Sequence, residues 1–486
     1  MTNQSTPIID TVEGKLQGYT DHEAYAFRDI PYARPPVKDL RWRAPAPMAP
    51  WTAVHRAGER GANTAAPSPL DEDCLYLDVW TPRAGSGSTH GLPVMVWFHG
   101  ARLAGAGGPP SYTGAPLASA GAVVVIVRYR LGLFGTFAHA GLDAEIPGGP
   151  VNFALLDQIS ALEWVQRNIA RFGGDPDNVT ILGQSSAARS VLALFASPLV
   201  RDRQLRSRPL FHRGVAHSAY GLSEVWRSCA VAHSAQALGT LTAAQLRAIP
   251  VADLVRRMPN QAPVAICGDD ALPISIHDAF VTGQQAALPL ILGSTSDDAS
   301  VVESFGFTAM QILERIGDAG YDLGPMYAEV EDEAELARQV ARDVLFTIVP
   351  RRLGDAHCRR APTWRYYFDH VATGEREQPG ARHGDDVPYA MATCTSPASR
   401  GTLGPIDREL QHRMSAYWLA FAHTGRPGHA GGVEWQPHVG LLQDITLVLQ
   451  DPIESHAAFM GWRLTALLAG DFGNLPLPPA PEVYGS

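Results

Sequence analysis

Lysine is nearly missing from this chain of 486 residues: Lys15 and Lys38 are the two, and arginine carries the rest of the basic charge. No basic cluster stands out, and the formal net charge is −10. A nucleic-acid backbone or an anionic membrane surface needs a clustered basic face, so neither is expected as a main partner. The lysine shortage itself carries no functional reading. Cysteine is sparse too. Cys74, Cys229, Cys267, Cys358 and Cys394 are odd in number, widely spaced and without a C-x-x-C pair. That spacing argues against zinc or dithiol chemistry and suits free thiols in a reducing compartment. Long apolar runs are lacking as well. The longest, within GAPLASAGAVVVIVRYR, falls short of the roughly 18 residues that span a bilayer and ends in arginines. The first residues, MTNQSTPIIDTVEG, have neither a basic n-region nor an apolar h-region. A cytoplasmic location is therefore expected.

What is present is ordinary globular material, 45% hydrophobic and 18% charged, enough for a large core. The length would allow about three average domains, or one α/β enzyme with insertions. LPVMVWF (92 to 98) and AVVVIVR (122 to 128) are continuous Val/Ile-rich runs, the pattern of strands covered on both faces in a mostly parallel sheet. Between such runs lie helical patterns. Leu155, Ile159, Leu162, Val165, Ile169 and Phe172 recur at helical spacing and stop at Gly173-Gly174. The succession strand, helix, strand, turn, helix predicts an α/β sheet with helices on both faces. Ligands then sit at the C-terminal strand ends, where the loops after Phe98 and Leu292 converge with Ser185. Gly-, Pro- and Ser-rich loops at 83 to 91, 373 to 382 and 425 to 432 are too short for interdomain linkers. One domain over 1–486 is expected, closing in a proline-rich tail, 474–486, that reads as a loosely packed terminus.

Ser185 is the most informative residue. In VTILGQSSAARSVLALF a β-branched run breaks at Gly183, presents one serine and passes straight into a helix. This is the layout of a nucleophile elbow, whose sharp turn lifts the hydroxyl clear and leaves the next amide, that of Ser186, facing whatever the hydroxyl attacks. The closing glycine of G-x-S-x-G is here Ala187, a position that needs only close packing of helix on strand.

With FRDIPYARPPVKDLRWRAPAP, EDCLYLDVWTP, RYRLGLFG, LLDQISALEWVQRNIARFGGDPDNVTILGQSSA, LFHRGVAHSA and AYWLAFAHTGRP in this order, the chain resembles the type B carboxylesterases, the α/β-hydrolase group of para-nitrobenzyl-type esterases and cholinesterases. The resemblance implies an α/β-hydrolase fold with long loop and helical insertions over the cleft. It also implies a triad in the chain order serine, acid, histidine. Ser185 matches the nucleophile, Asp298 in GSTSDDAS the acid that is usually glutamate, and His383 in ARHGDDVPY the histidine; Asp297 is the alternative acid. A neutral serine hydroxyl is a poor nucleophile, so His383 would take its proton and later protonate the leaving group. The acid would orient the imidazole and stabilise its cation.

Departures from the family pattern gather at the expected site. The oxyanion loop, H-G-G-G in the family, reads His99-Gly100-Ala101-Arg102-Leu103. Backbone donors survive at Ala101 and Arg102, together with Ser186, but a Cβ in such a loop alters where the N–H groups point. Arg102 either binds a substrate carboxylate or turns to solvent. G-N-x-G becomes Val151-Asn152-Phe153-Ala154, and the QSG-like site becomes His217-Ser218-Ala219. Tyr220 and Trp226, just beyond, are candidates for the substrate wall or for the core. His99 is expected to support the loop, and Cys74 to be a buried thiol. These readings lead to a serine hydrolase that cleaves a small apolar carboxylic ester through an acyl-enzyme, without metal or organic cofactor, as a monomer or homodimer. Two alternatives stand beside it: a biosynthetic enzyme performing acyl transfer, lactonisation or cyclisation, and a catalytically silent cholinesterase-like binding protein.

Overall fold

The computed structural model describes residues 6–58, 71–82, 91–100, 113–206, 208–259, 264–318, 320–321, 323–375, 377–394, 403–440 and 443–470. Ala101, Arg102, most of the 83 to 91 loop and the 474–486 tail lie outside them. Among the described residues, eleven strands form one sheet. In chain order they are Tyr19–Asp21 (β1), Ala24–Pro31 (β2), Tyr76–Thr81 (β3), Leu92–Phe98 (β4), Val123–Val127 (β5), Gly174–Gln184 (β6), Arg213–His217 (β7), Leu290–Thr295 (β8), Thr363–Phe368 (β9), Ile445–Leu449 (β10) and Glu454–Ala457 (β11). Their spatial order is β11-β10-β9-β8-β7-β6-β4-β5-β3-β2-β1. From β10 to β5 every pair is parallel, while the outer pairs on both sides are antiparallel.

The continuous apolar runs are explained by two cores, one on each face. Val94, Val96, Phe98, Val179 and Ile181 point to the face that holds helices Phe153–Asn168 and Ser186–Ala196. Met95, Trp97, Leu182 and Val215 point to the opposite face, against helix Pro405–Thr424. Alternation with period two therefore buries every residue of Val123–Val127 and all of Leu92–Phe98 beyond its first residue. The helix expected from Leu155 to Phe172 is α-helical over Phe153–Asn168 and tightens to 3₁₀ over Ile169–Phe172, ending at left-handed Gly173 (φ 81°). The VTILG strand is the second half of the longer β6.

Connectivity fixes where a ligand can sit. The chain runs from β4 outward to β5, then crosses back to place β6 on the other flank of β4. This reversal opens a crevice at the carboxyl ends of β4 and β6. Register brings these ends level: Phe98 pairs with Gly183, Gln184 with His217, and His217 with Gly293. Ser185, His99 and Ser218 each follow directly. The five cysteines are free thiols; Cys74, Cys267 and Cys394 are buried and Cys229 is exposed. No helix among the described residues is long and apolar enough to cross a membrane.

Candidate active site

Ser185 occupies a left-handed position, φ 63° and ψ −125°, between the end of β6 and the first residue of helix Ser186–Ala196. A non-glycine residue held there costs about 1–3 kcal/mol, and the surroundings supply the restraint. The Ser185 N–H donates to the His217 carbonyl at 2.9 Å. Gly183 is required by close approach, because a Cβ there would lie 2.5 Å from the Ala187 carbonyl oxygen. Ala187 itself is fully buried against the turn, so a methyl group is tolerated on the helix side but not on the strand side.

His383 and Asp298 meet. Nδ1 of the ring lies 2.7 Å from Asp298 Oδ1, and Asp298 Oδ2 accepts the Thr295 N–H at 2.8 Å. A carboxylate only accepts, so Nδ1 carries the proton and Nε2 is the basic nitrogen. Nε2 is buried and has no hydrogen-bond partner among the described residues. The Phe346 ring, on a π-helical turn over Asp343–Thr347, packs 5.2 Å from the imidazole. Asp297 is engaged elsewhere: its carboxylate pairs with Arg338 at 2.6 Å. Burial raises its carboxyl above the ordinary value against the pull of Arg338. Of the two adjacent acids, Asp298 is the one turned to the histidine.

The loops around the serine close on the elbow. A Cβ added at Gly100 would lie 3.3 Å from Ser185 Cβ, and one at Gly384 would lie 3.3 Å from Gln184 Nε2. His99 is fully buried, and burial holds its imidazole down to about 4. Its support of the loop runs through its carbonyl, which accepts the Tyr129 hydroxyl at 2.8 Å, more than through its ring.

Behind these groups lies a second histidine–acid pair that sequence reasoning missed. His217 Nδ1 is 2.9 Å from Asp386 Oδ2, Tyr366 donates its hydroxyl to the same oxygen at 2.6 Å, and Trp418 Nε1–H donates to His217 Nε2 at 3.1 Å. Both His217 and Asp386 are fully buried. Burial alone would push the Asp386 carboxyl up; the adjacent His217 ring and the bonds from His217 and Tyr366 bring it below the ordinary carboxylate value. The available signal was the histidine in the QSG-like site and the second aspartate of HGDD.

Two cavities flank the helix that follows the serine. One, mainly apolar, has Ser186, Leu131, Leu155, Ala193 and Val264 in its wall. The other holds both residues expected as substrate wall: Tyr220, fully buried against Phe305 and Phe346, and Trp226, half exposed. Among the described residues no group of His, Cys, Asp and Glu is arranged to hold a metal ion.

The carboxylesterase family model matches residues 5–318 and 321–452. The fumonisin B1 esterase of Sphingopyxis macrogoltabida is 32% identical, over 89% of this chain and 85% of its own. The para-nitrobenzyl esterase of Bacillus subtilis is 31% identical, over 93% and 96%. Among solved structures, the carboxylesterase EST55 of Geobacillus stearothermophilus superposes with a TM-score of 0.80 at 26% identity, over 95% of this chain and all of that one. A para-nitrobenzyl esterase structure gives 0.79 at 28%, over 95% and 99%.

Proposed function

Because the chain belongs to the carboxylesterase family, an α/β-hydrolase-fold group of ester-cleaving enzymes, we propose that it hydrolyses a small, mainly apolar carboxylic ester through an acyl-enzyme on Ser185. The observation that carries this reading is the His383–Asp298 contact of 2.7 Å with Nε2 unpartnered among the described residues. Ser185 Oγ attacks the ester carbonyl as Nε2 of His383 takes its proton. Asp298 holds the ring in the Nδ1–H form and stabilises the imidazolium. The imidazolium then protonates the leaving alcohol, and a water activated by the same nitrogen cleaves the acyl-serine ester. The Ser186 N–H at the helix start would face the developing oxyanion; Ala101 and Arg102, the other donors expected from the sequence, lie outside the described residues.

Intact mass after treatment with a small fluorophosphonate tests this, since the reagent needs both an activated serine and a working oxyanion hole. One adduct on the wild type and none on Ser185→Ala is the expected result. No adduct on either protein would overturn the hydrolase reading and leave a binding role.

A further inference from the structure

Resting on the hydrolase reading, we propose that Ser300 is a positioning residue: its hydroxyl is spliced into the pairing between the acid loop and the histidine loop and sets where the His383 ring meets Asp298. The two loops touch through an isolated parallel bridge, Asp297 against Arg382. One bond of this bridge is direct, from the Asp297 N–H to the Ala381 carbonyl at 2.7 Å. In a parallel pair the next bond runs from the N–H of the residue after the bridge partner, here His383, to the bridge residue's own carbonyl. Here it passes through a side chain. The His383 N–H donates to Ser300 Oγ at 3.0 Å, and the Ser300 hydroxyl donates to the Asp297 carbonyl at 2.7 Å.

A second hydroxyl fixes the base of the histidine loop. Ser296 Oγ accepts the Ala381 N–H at 2.8 Å, and a Cβ at Gly380 would lie 2.9 Å from that oxygen, so glycine at 380 permits this close approach. The join is thus direct at Ala381 and one hydroxyl wide at His383. Arg338 holds the Asp297 carboxylate, so Asp297 takes part through its backbone. Asp298 and Ser300 sit on the same short turn, Asp298–Phe305. From it Asp298 grips the ring of His383 at 2.7 Å and Ser300 grips the backbone amide. Two points of attachment fix a direction, where one would leave the histidine free to pivot about its acid. Ser300 is exposed, and a hydrogen bond open to water adds little to global stability. Its effect is on geometry, and a misplacement of about 1 Å in a reacting group can lower a rate about 10²-fold.

The test combines turnover of p-nitrophenyl acetate with the rate of fluorophosphonate labelling. Ser300→Ala is expected to lower kcat at least about 10-fold while KM stays within about 2-fold, with an unchanged urea midpoint. Ser300→Thr, which keeps the hydroxyl, should recover kcat to within about 3-fold of the wild type. A double-mutant cycle then asks where the loss acts. With Asp298→Asn already in place the grip on the ring is weakened, so adding Ser300→Ala should slow labelling by less than about 2-fold more, because both changes act on one contact. The full penalty persisting in the Asp298→Asn background overturns the proposal, as does an equal loss in Ser300→Thr, or a Ser300→Ala enzyme with kcat like that of the wild type. The two claims stay apart: a labelled wild type whose Ser300→Ala variant labels equally fast ends the positioning role and spares the hydrolase, whereas an unlabelled, inactive wild type ends both.

Discussion

Two histidine–aspartate pairs lie within one layer at the strand ends, and they differ in a single nitrogen. In His383–Asp298 one ring nitrogen is bound to the acid and the other has no partner among the described residues. In His217–Asp386 the second nitrogen is capped by the Trp418 indole N–H, and a tyrosine hydroxyl completes the acid. The first arrangement leaves a base that can receive a proton; the second leaves none. Identical residue types thus become chemistry or scaffold according to whether the far nitrogen is satisfied. The second pair is also tied to the elbow, since the His217 carbonyl holds the Ser185 N–H.

The contrast can be broken most sharply at the half proposed to be catalytic. Asp298→Asn should lower kcat/KM about 10⁴-fold by favouring the wrong imidazole tautomer, while the urea midpoint stays close to that of the wild type. A value within 10-fold of the wild type would return the acid's role to another residue. At the scaffold half, His217→Ala leaves Asp386 buried without its ring partner and should cost about 4 kcal/mol in urea unfolding. Folded protein at low urea should still label at Ser185. Loss of labelling with unchanged stability would reverse the assignment of the two pairs.

His99, a buried histidine without an acid, sharpens the comparison through pH. Its imidazole is held near 4 in the folded protein against about 6.5 unfolded. Between these values the unfolded chain binds more protons, so stability drops as pH falls from about 6.5 to 4, by up to about 3 kcal/mol from this group. Urea midpoints over that range should show a shallower slope in His99→Gln. The smallest effect belongs to Asp297, whose partner is Arg338 and not a histidine: Asp297→Asn should change stability by about 1 kcal/mol and kcat/KM by less than about 3-fold.

Much of this could be read from the chain. Val123–Val127 and Leu92–Phe98 were legible as doubly covered strands because period-two alternation between two apolar faces leaves no polar position. The elbow was legible because a strand, a glycine and a helix must share a few residues. The resemblance pointed to Asp298 with Asp297 as the alternative, but residue type alone does not separate two adjacent aspartates, since one residue's rotation decides which carboxylate meets His383. The His217 cage was hidden for a different reason. Its members come from positions 169 and 201 residues away, and buried polar pairing has no periodicity. Ser300 likewise acquires its meaning from His383, 83 residues away, which only the folded chain brings beside it.

The elbow's place at the end of β6 has a consequence for how the protein becomes active. That strand pairs in parallel with segments some 80 residues before it and 30 after it, contacts of high sequence separation that form slowly. The helix Ser186–Ala196 is local. In refolding from urea, far-UV ellipticity should therefore recover ahead of fluorophosphonate reactivity, and the serine itself becomes the clock for completion of the sheet.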